Sequence, residues 1–214
     1  MENGKTSSAD KVREMYDAEA ESYSGMMDSE MEQPIYADTL GRLKTRLVGL
    51  AGPIIDAPCG SGHMLSMYHE DYDMERTLLG IDLSPSMAAI ATKRLGKAAE
   101  IVVGDIRNLG SVRSCSAAAV ISHFALHHLN VDGIAEALAE WHRVLRIGGQ
   151  LVIGAWEGEG AIDYGDDSDI VAILHSAESL QAMIREAGFS ISRNVVERDN
   201  EMMMNAIYIE GTRE

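Results

Sequence analysis

Three aspartates, Asp56, Asp82 and Asp105, each follow a short aliphatic run: Ile54-Ile55, Leu78-Leu79-Gly80-Ile81 and Ile101-Val102-Val103-Gly104. Around the first, the chain reads Ile-Ile-Asp-Ala-Pro-Cys-Gly-Ser-Gly-His-Met-Leu over residues 54–65. A buried strand ending on an acid, then a small-residue turn, then an apolar helix start is how a parallel sheet presents a ligand at its edge. Gly60 and Gly62 have no Cβ, so a ligand can approach their backbone, and Asp56 ends its strand toward that ligand. A carboxylate such as Asp82 can accept from two vicinal hydroxyls, as on a ribose, and Asp105 from an exocyclic amino group.

The turn does not read as a dinucleotide site. That fingerprint needs a third small residue where the helix closes on the strand, and Leu65 stands there instead. Three strand-end acids without a cradling lysine suit a ligand with an amine, a ribose and an adenine but no phosphate.

These residues need a scaffold, and from about residue 52 strand and helix patterns alternate, which predicts an α/β fold with a mostly parallel sheet. Strands are expected at Pro53–Ala57, Leu78–Asp82, Ile101–Val103, Ala117–Ser122 and Leu151–Ile153. Helices are expected over His63–Tyr68, after Ser84-Pro85 with serine as N-cap and proline at the first position, and through Ile134, Ala137, Leu138, Trp141, Val144 and Leu145, stopped by Gly148-Gly149. A further helix carries Leu180, Met183, Ile184 and Ala187 and ends at Gly188. Phe189–Val196 and Met203–Ile209 lie too close together for a crossover and should form an antiparallel hairpin. Before the sheet, residues 9–50 read as helices, one with Val12, Met15 and Tyr16 on a face, the next with Tyr36, Leu40, Leu43, Leu47 and Leu50. The Gly-, Asp- and Glu-rich stretch Glu157–Asp169 reads as an exposed loop. The 214 residues fit one domain, 1–214, with a helical cap over 1–50 and an α/β core over 51–214.

The net charge of −16 disfavours nucleic acid and anionic membrane surfaces as partners, although acidity also simply aids solubility. No apolar run reaches the ~20 residues of a membrane span, and the polar start, Met1 to Ser8, contains no secretory h-region, so a cytoplasmic protein is expected. Cys59 and Cys115 form neither a CxxC pair nor part of a metal-spaced cluster, and no metal is expected.

Five ordered segments resemble class I S-adenosylmethionine-dependent methyltransferases, specifically the small-molecule branch related to the ubiquinone and menaquinone enzymes. They are Ile55–Gly62, Gly80–Met87, Val103–Ile106, Ser122–Leu129 and Arg143–Leu151. The resemblance runs from about Tyr16 to Ile209. It implies a Rossmann-like, doubly wound, seven-stranded sheet with an antiparallel C-terminal hairpin and an N-terminal helical cap. It implies S-adenosyl-L-methionine as cofactor and methyl transfer to an O, N, S or C atom of a small molecule. It further implies that Asp56, Pro58, Gly60 and Gly62 surround the methionine part, Asp82 the ribose, and Leu83, Met87, Asp105 and Ile106 the adenine. His123 and Phe124 would lie near the sulfonium, with Tyr16 and Tyr23 closing from the cap. The family usually carries glycine where Pro58 stands; proline keeps the carbonyl but removes the N–H and fixes φ.

Histidine is the obvious base near neutral pH, so His123 and His127 are catalytic candidates, against the plainer role of packing and hydrogen bonding at the sheet edge. Met27 and Tyr164 are candidates for the acceptor pocket, against cap-helix core and solvated loop respectively. The alternative function is a cofactor-binding regulatory or scaffold module that does not methylate, and a dehydrogenase ranks third.

Overall fold

The computed structural model describes residues 7–162, 170–199 and 202–214. Helix α1 (Ala9–Glu30) starts at Ser8, whose hydroxyl accepts from the Lys11 amide, and α2 (Pro34–Arg46) starts on Pro34. The sheet then begins with β1 (Ile54–Asp56), followed by α3 (His63–Asp71), β2 (Leu78–Asp82) and α4 (Pro85–Leu95). Next come β3 (Ala99–Val103), β4 (Ala117–His123), a 3₁₀ turn at Leu126–His128 and α5 (Val131–Val144). The chain ends with β5 (Leu145–Glu157), β6 (Ala161–Ile162), β7 (Ala172–Ile173), α6 (Ala177–Glu186), β8 (Phe189–Asp199) and β9 (Met204–Arg213). Ser84 caps α4 as expected, its hydroxyl accepting from the Met87 amide at 3.1 Å.

Seven strands form one sheet in the order β3-β2-β1-β4-β5-β9-β8. The first five are parallel, whereas β9 runs antiparallel to both β5 and β8. Alternation along the strands divides the core in two. Ile55, Val120, Leu151, Ile153, Ile207 and Ile209 face α5 and α6. Ile54, Leu78, Ala119, Ile121 and Val152 face α2, α3 and α4. The order reverses between β1 and β4, so a crevice opens beyond their C-terminal ends, next to Asp56 and His123.

Two sequence expectations are corrected. The Gly148-Gly149 pair does not stop α5, which ends at Val144. Both glycines lie inside β5, where Ala117 pairs with Leu145 but Ala119 with Gln150, and Gly148 absorbs the bulge with φ +77°. Nor is the described part of Glu157–Asp169 only loop: Ala161–Ile162 pairs antiparallel with Ala172–Ile173. Among the described residues no helix is long and apolar enough to cross a membrane.

Leu40 of α2 is fully buried in the cluster that seats the cap helix on the sheet. Leu40→Ala should lower unfolding stability by about 2–5 kcal/mol, read as a reduced urea midpoint.

Candidate functional site

A cavity lies at the switch point, floored by the ends of β1, β2 and β4 and roofed by α1. Asp82, the last residue of β2, is buried and anchors the floor. One oxygen accepts from the Gly60 amide at 2.7 Å and the other from the Ser84 amide at 2.9 Å. Burial pushes its pKa up to about 6, opposed by those two amides. Asp56 is 2% exposed, its Oδ2 has no hydrogen-bond partner, and burial followed by the charge of Asp82 raises its carboxyl well above the usual range.

Four amides of the glycine turn are already committed, which leaves it a poor anion cradle. Ala57 donates to the Ile121 carbonyl, Cys59 to Ile81, Gly60 to Asp82 and Gly62 to Cys59, while Pro58 has no N–H. Gly60 has φ +50°, and a Cβ there would point toward Tyr23, 3.6 Å from its ring, in the gap between floor and roof. Pro58, Leu83, Met87, Ile106 and Phe124 add to the walls.

Gly62 departs from its expected place and does not line the cavity. A Cβ on it would come within 3.2 Å of Ala91 and 3.0 Å of Leu95, so its small size serves the packing of α3 on α4. Asp105 reaches the wall, but both its oxygens are held by Arg107, at 3.0 Å from Nε and 2.6 Å from Nη2. Burial alone would raise the Asp105 pKa; the Arg107 hydrogen bonds and charge bring it below the usual value.

Helix α1 is clamped at its middle and near its C-terminal end. Asp17 accepts from the Ser84 hydroxyl at 2.5 Å and the Ser86 amide at 3.0 Å, so it caps α4 from outside. Asp28 meets His63 Nε2 at 2.8 Å and Arg94 Nη2 at 3.1 Å, and His63 Nδ1 lies 3.0 Å from the Ser61 hydroxyl. Tyr23 and Met27 between these two contacts, and Tyr16 just before the first, face the cavity. The Tyr16 hydroxyl sits 2.9 Å from His128 Nε2, and its ring meets Tyr23 edge-on.

Of the two histidines expected to act, only His123 lines the cavity. Both its ring nitrogens are buried without a partner, and burial drops its pKa to about 4. His127 is withdrawn as a catalytic candidate: the 3₁₀ turn buries it behind His128, ring centroids 4.0 Å apart, outside the lining. Tyr164 lies outside the described residues. Sequence reasoning did not assign Tyr36, His63, Arg107 and His128 to the site, although all line the cavity. Tyr36 sat in an apolar stripe indistinguishable from core, and the Tyr16–His128 pair spans 112 positions, beyond any local signal. Among the described residues no group of three or more His, Cys, Asp or Glu side chains is placed to hold a metal.

A histidine whose folded pKa is depressed must stay neutral in the native state. Its contribution is full above the unfolded value near 6.5 and is lost as pH falls toward about 4. Between pH 7.5 and 5, His123→Leu should therefore lose about 2 kcal/mol less stability than the parent, measured by urea melts at both values.

A family model described as a methyltransferase domain matches residues 54–149. The chain is 34% identical over 119 residues to an uncharacterized 37.1 kDa protein in transposon Tn4556 of Streptomyces fradiae, covering 52% of this chain and 32% of that one. It is 33% identical over 108 residues to the tRNA (carboxymethyluridine(34)-5-O)-methyltransferase ALKBH8 of Mus musculus, covering 50% and 15%. The chain thus spans about a third or less of the length of these curated relatives. The Burkholderia thailandensis 1,6-didemethyltoxoflavin-N1-methyltransferase, solved with 1,6-didemethyltoxoflavin and S-adenosylhomocysteine, superposes with TM-score 0.74 at 18% identity, covering 96% of this chain and 88% of that one. The [4+2]-cyclase SpnF superposes with TM-score 0.73 at 16% identity over 97% of both chains. The matched segment holds the glycine turn and all three strand-end acids, and it lies within a seven-stranded sheet of the fold that these solved structures share.

Proposed function

We propose that the cavity binds S-adenosyl-L-methionine and that the protein transfers its methyl group to an O, N, S or C atom of a small molecule. The supporting observation is the glycine turn, most of whose amides are spent internally while buried carboxylates face the same space. Such a site repels phosphate and suits a ligand carrying a cation and hydroxyls. When bound, the cofactor supplies an electrophilic methyl group on a cationic sulfur.

In this reading the unpartnered Asp56 oxygen takes the amino group, and that charge offsets the cost of burying two neighbouring carboxylates. Asp82 keeps lone pairs beyond its two amide bonds for ribose hydroxyls. Leu83, Met87 and Ile106 sandwich the base; Asp105 reads its amino edge through lone pairs left beside Arg107. Tyr16 and Tyr23 close the roof and exclude water, and holding the acceptor in line does much of the catalysis. His123, neutral at pH 7, is placed to orient the acceptor rather than to act as a strong base. In the same reading the chain acts as one unit, cap 1–50 over core 51–214, in the cytoplasm, within the small-molecule branch related to the ubiquinone and menaquinone enzymes.

A non-methylating binding role is the second reading, favoured by one observation: the fold is shared with a protein described as a cyclase. A tRNA acceptor, suggested by the name of the mouse relative, is opposed by the −16 charge and by Arg107 being, among the described residues, the only lining Lys or Arg and already paired.

Calorimetry should show S-adenosylmethionine binding that weakens at least about 10-fold in Asp82→Ala, while Glu75→Ala, on an exposed turn, leaves it unchanged. Undiminished binding in Asp82→Ala sinks the ribose assignment. Binding without turnover across a broad acceptor panel favours the second reading.

A further inference from the structure

We infer that the acceptor is an uncharged, flat aromatic molecule bearing one O–H or N–H group, and that this group hydrogen-bonds the His123 ring. The inference rests on the methyl-transfer reading above and concerns the end of the cavity away from Asp82 and Asp105.

The first support is an unmet need. Both ring nitrogens of His123 are buried and without a partner in the protein, although the ring lines the cavity. A neutral imidazole offers one donor and one acceptor, and leaving either unsatisfied is costly. Burial keeps the ring neutral at pH 7, so it suits a hydroxyl or N–H rather than an anion.

The second support is shape. The His123 ring lies against Gly154, where a Cβ would come within 3.1 Å of its Cγ and press on the ring. Tyr36, Phe124 and Tyr208 stand around it with centroids 6.0, 6.0 and 6.1 Å away. Phe124 takes a left-handed φ of +51°, a conformation L residues rarely hold, and its amide is tied to the Gly154 carbonyl at 2.7 Å. The Phe124 ring stands at the wall, backed by Trp156 with ring centroids 4.5 Å apart. Ring walls of this kind favour a flat apolar partner through offset and edge contacts.

The third support is charge. Asp56 and Asp82 are buried in the floor, and the Tyr36 hydroxyl donates to Glu30 at 2.8 Å. The one lining arginine, Arg107, is held by Asp105 and carries no surplus toward the rings. A carboxylate or phosphate acceptor would enter this space with nothing to pair it.

The test uses the full chain and three matched probes, 2-naphthol, 2-naphthoate and 2-naphthyl phosphate, titrated calorimetrically with S-adenosylhomocysteine present. S-Adenosylhomocysteine binding is measured first, on its own. The expected result is that naphthol binds at least tenfold tighter than either anion. His123→Leu should reduce naphthol affinity at least tenfold, and His123→Gln, which keeps a donor and an acceptor, should restore part of it. Met27→Lys, adding a cation to the lining, should raise naphthoate affinity and so keeps the inference testable even if His123 variants misfold. Equal or tighter binding of the anions, no binding of naphthol, or full affinity in His123→Leu overturns the aromatic-acceptor inference alone, provided S-adenosylhomocysteine binds. If S-adenosylhomocysteine does not bind, the methyl-transfer reading falls and this inference with it.

Discussion

The buried carboxylate of Asp82 is the constraint on which the site depends. Its two oxygens join the glycine turn to the N-terminus of α4, through Gly60 and Ser84, and so hold two separate βα units in one geometry. Removing a carboxylate from water is costly, and here two amides and a helix N-terminus offset part of that cost. The remainder shows as a pKa raised to about 6. Because the Gly60 amide is spent on this bond, the turn has one N–H fewer to offer an anion.

The same serine that shields Asp82 also receives the cap. Ser84 donates its hydroxyl to Asp17, and Asp28 at the far end of α1 reaches His63 and Arg94. The roof is therefore attached to the elements that build the floor, and Tyr16 and Tyr23 are presented to the cavity by polar contacts outside it. Apolar packing seats α2 beside this arrangement through Tyr36, Leu40, Leu43 and Leu47. Tyr36 belongs to both systems, as core of α2 and as wall of the cavity.

Fold and chemistry separate at the ring-lined end. The fold is shared with proteins described as a methyltransferase and as a cyclase, so the scaffold alone does not choose a reaction. At that end this chain combines an unpartnered His123 with a Phe124 of positive φ, and Arg107 is the one Lys or Arg among the described residues of the lining.

Much of the architecture was legible because it rests on short-range rules. Alternating patterns placed the strands and helices, Ser84-Pro85 marked the start of α4, and the close spacing of the last two segments required a hairpin. The strand-end acids were legible too, since a parallel sheet aligns the C-terminal ends of its strands whatever the rest of the chain does. The α5 boundary was not: Gly148-Gly149 looks like a stop, yet pairing with β4 and β9 claimed the chain from Leu145 onward. The sequence by itself thus determined the periodicity, the turn and the acids. Tertiary structure alone decided which amides are spent, that Arg107 occupies Asp105, that Gly62 packs rather than binds, and that His123 faces the cavity while His127 does not. Those outcomes depend on distances between residues far apart in the chain, which local propensity does not encode.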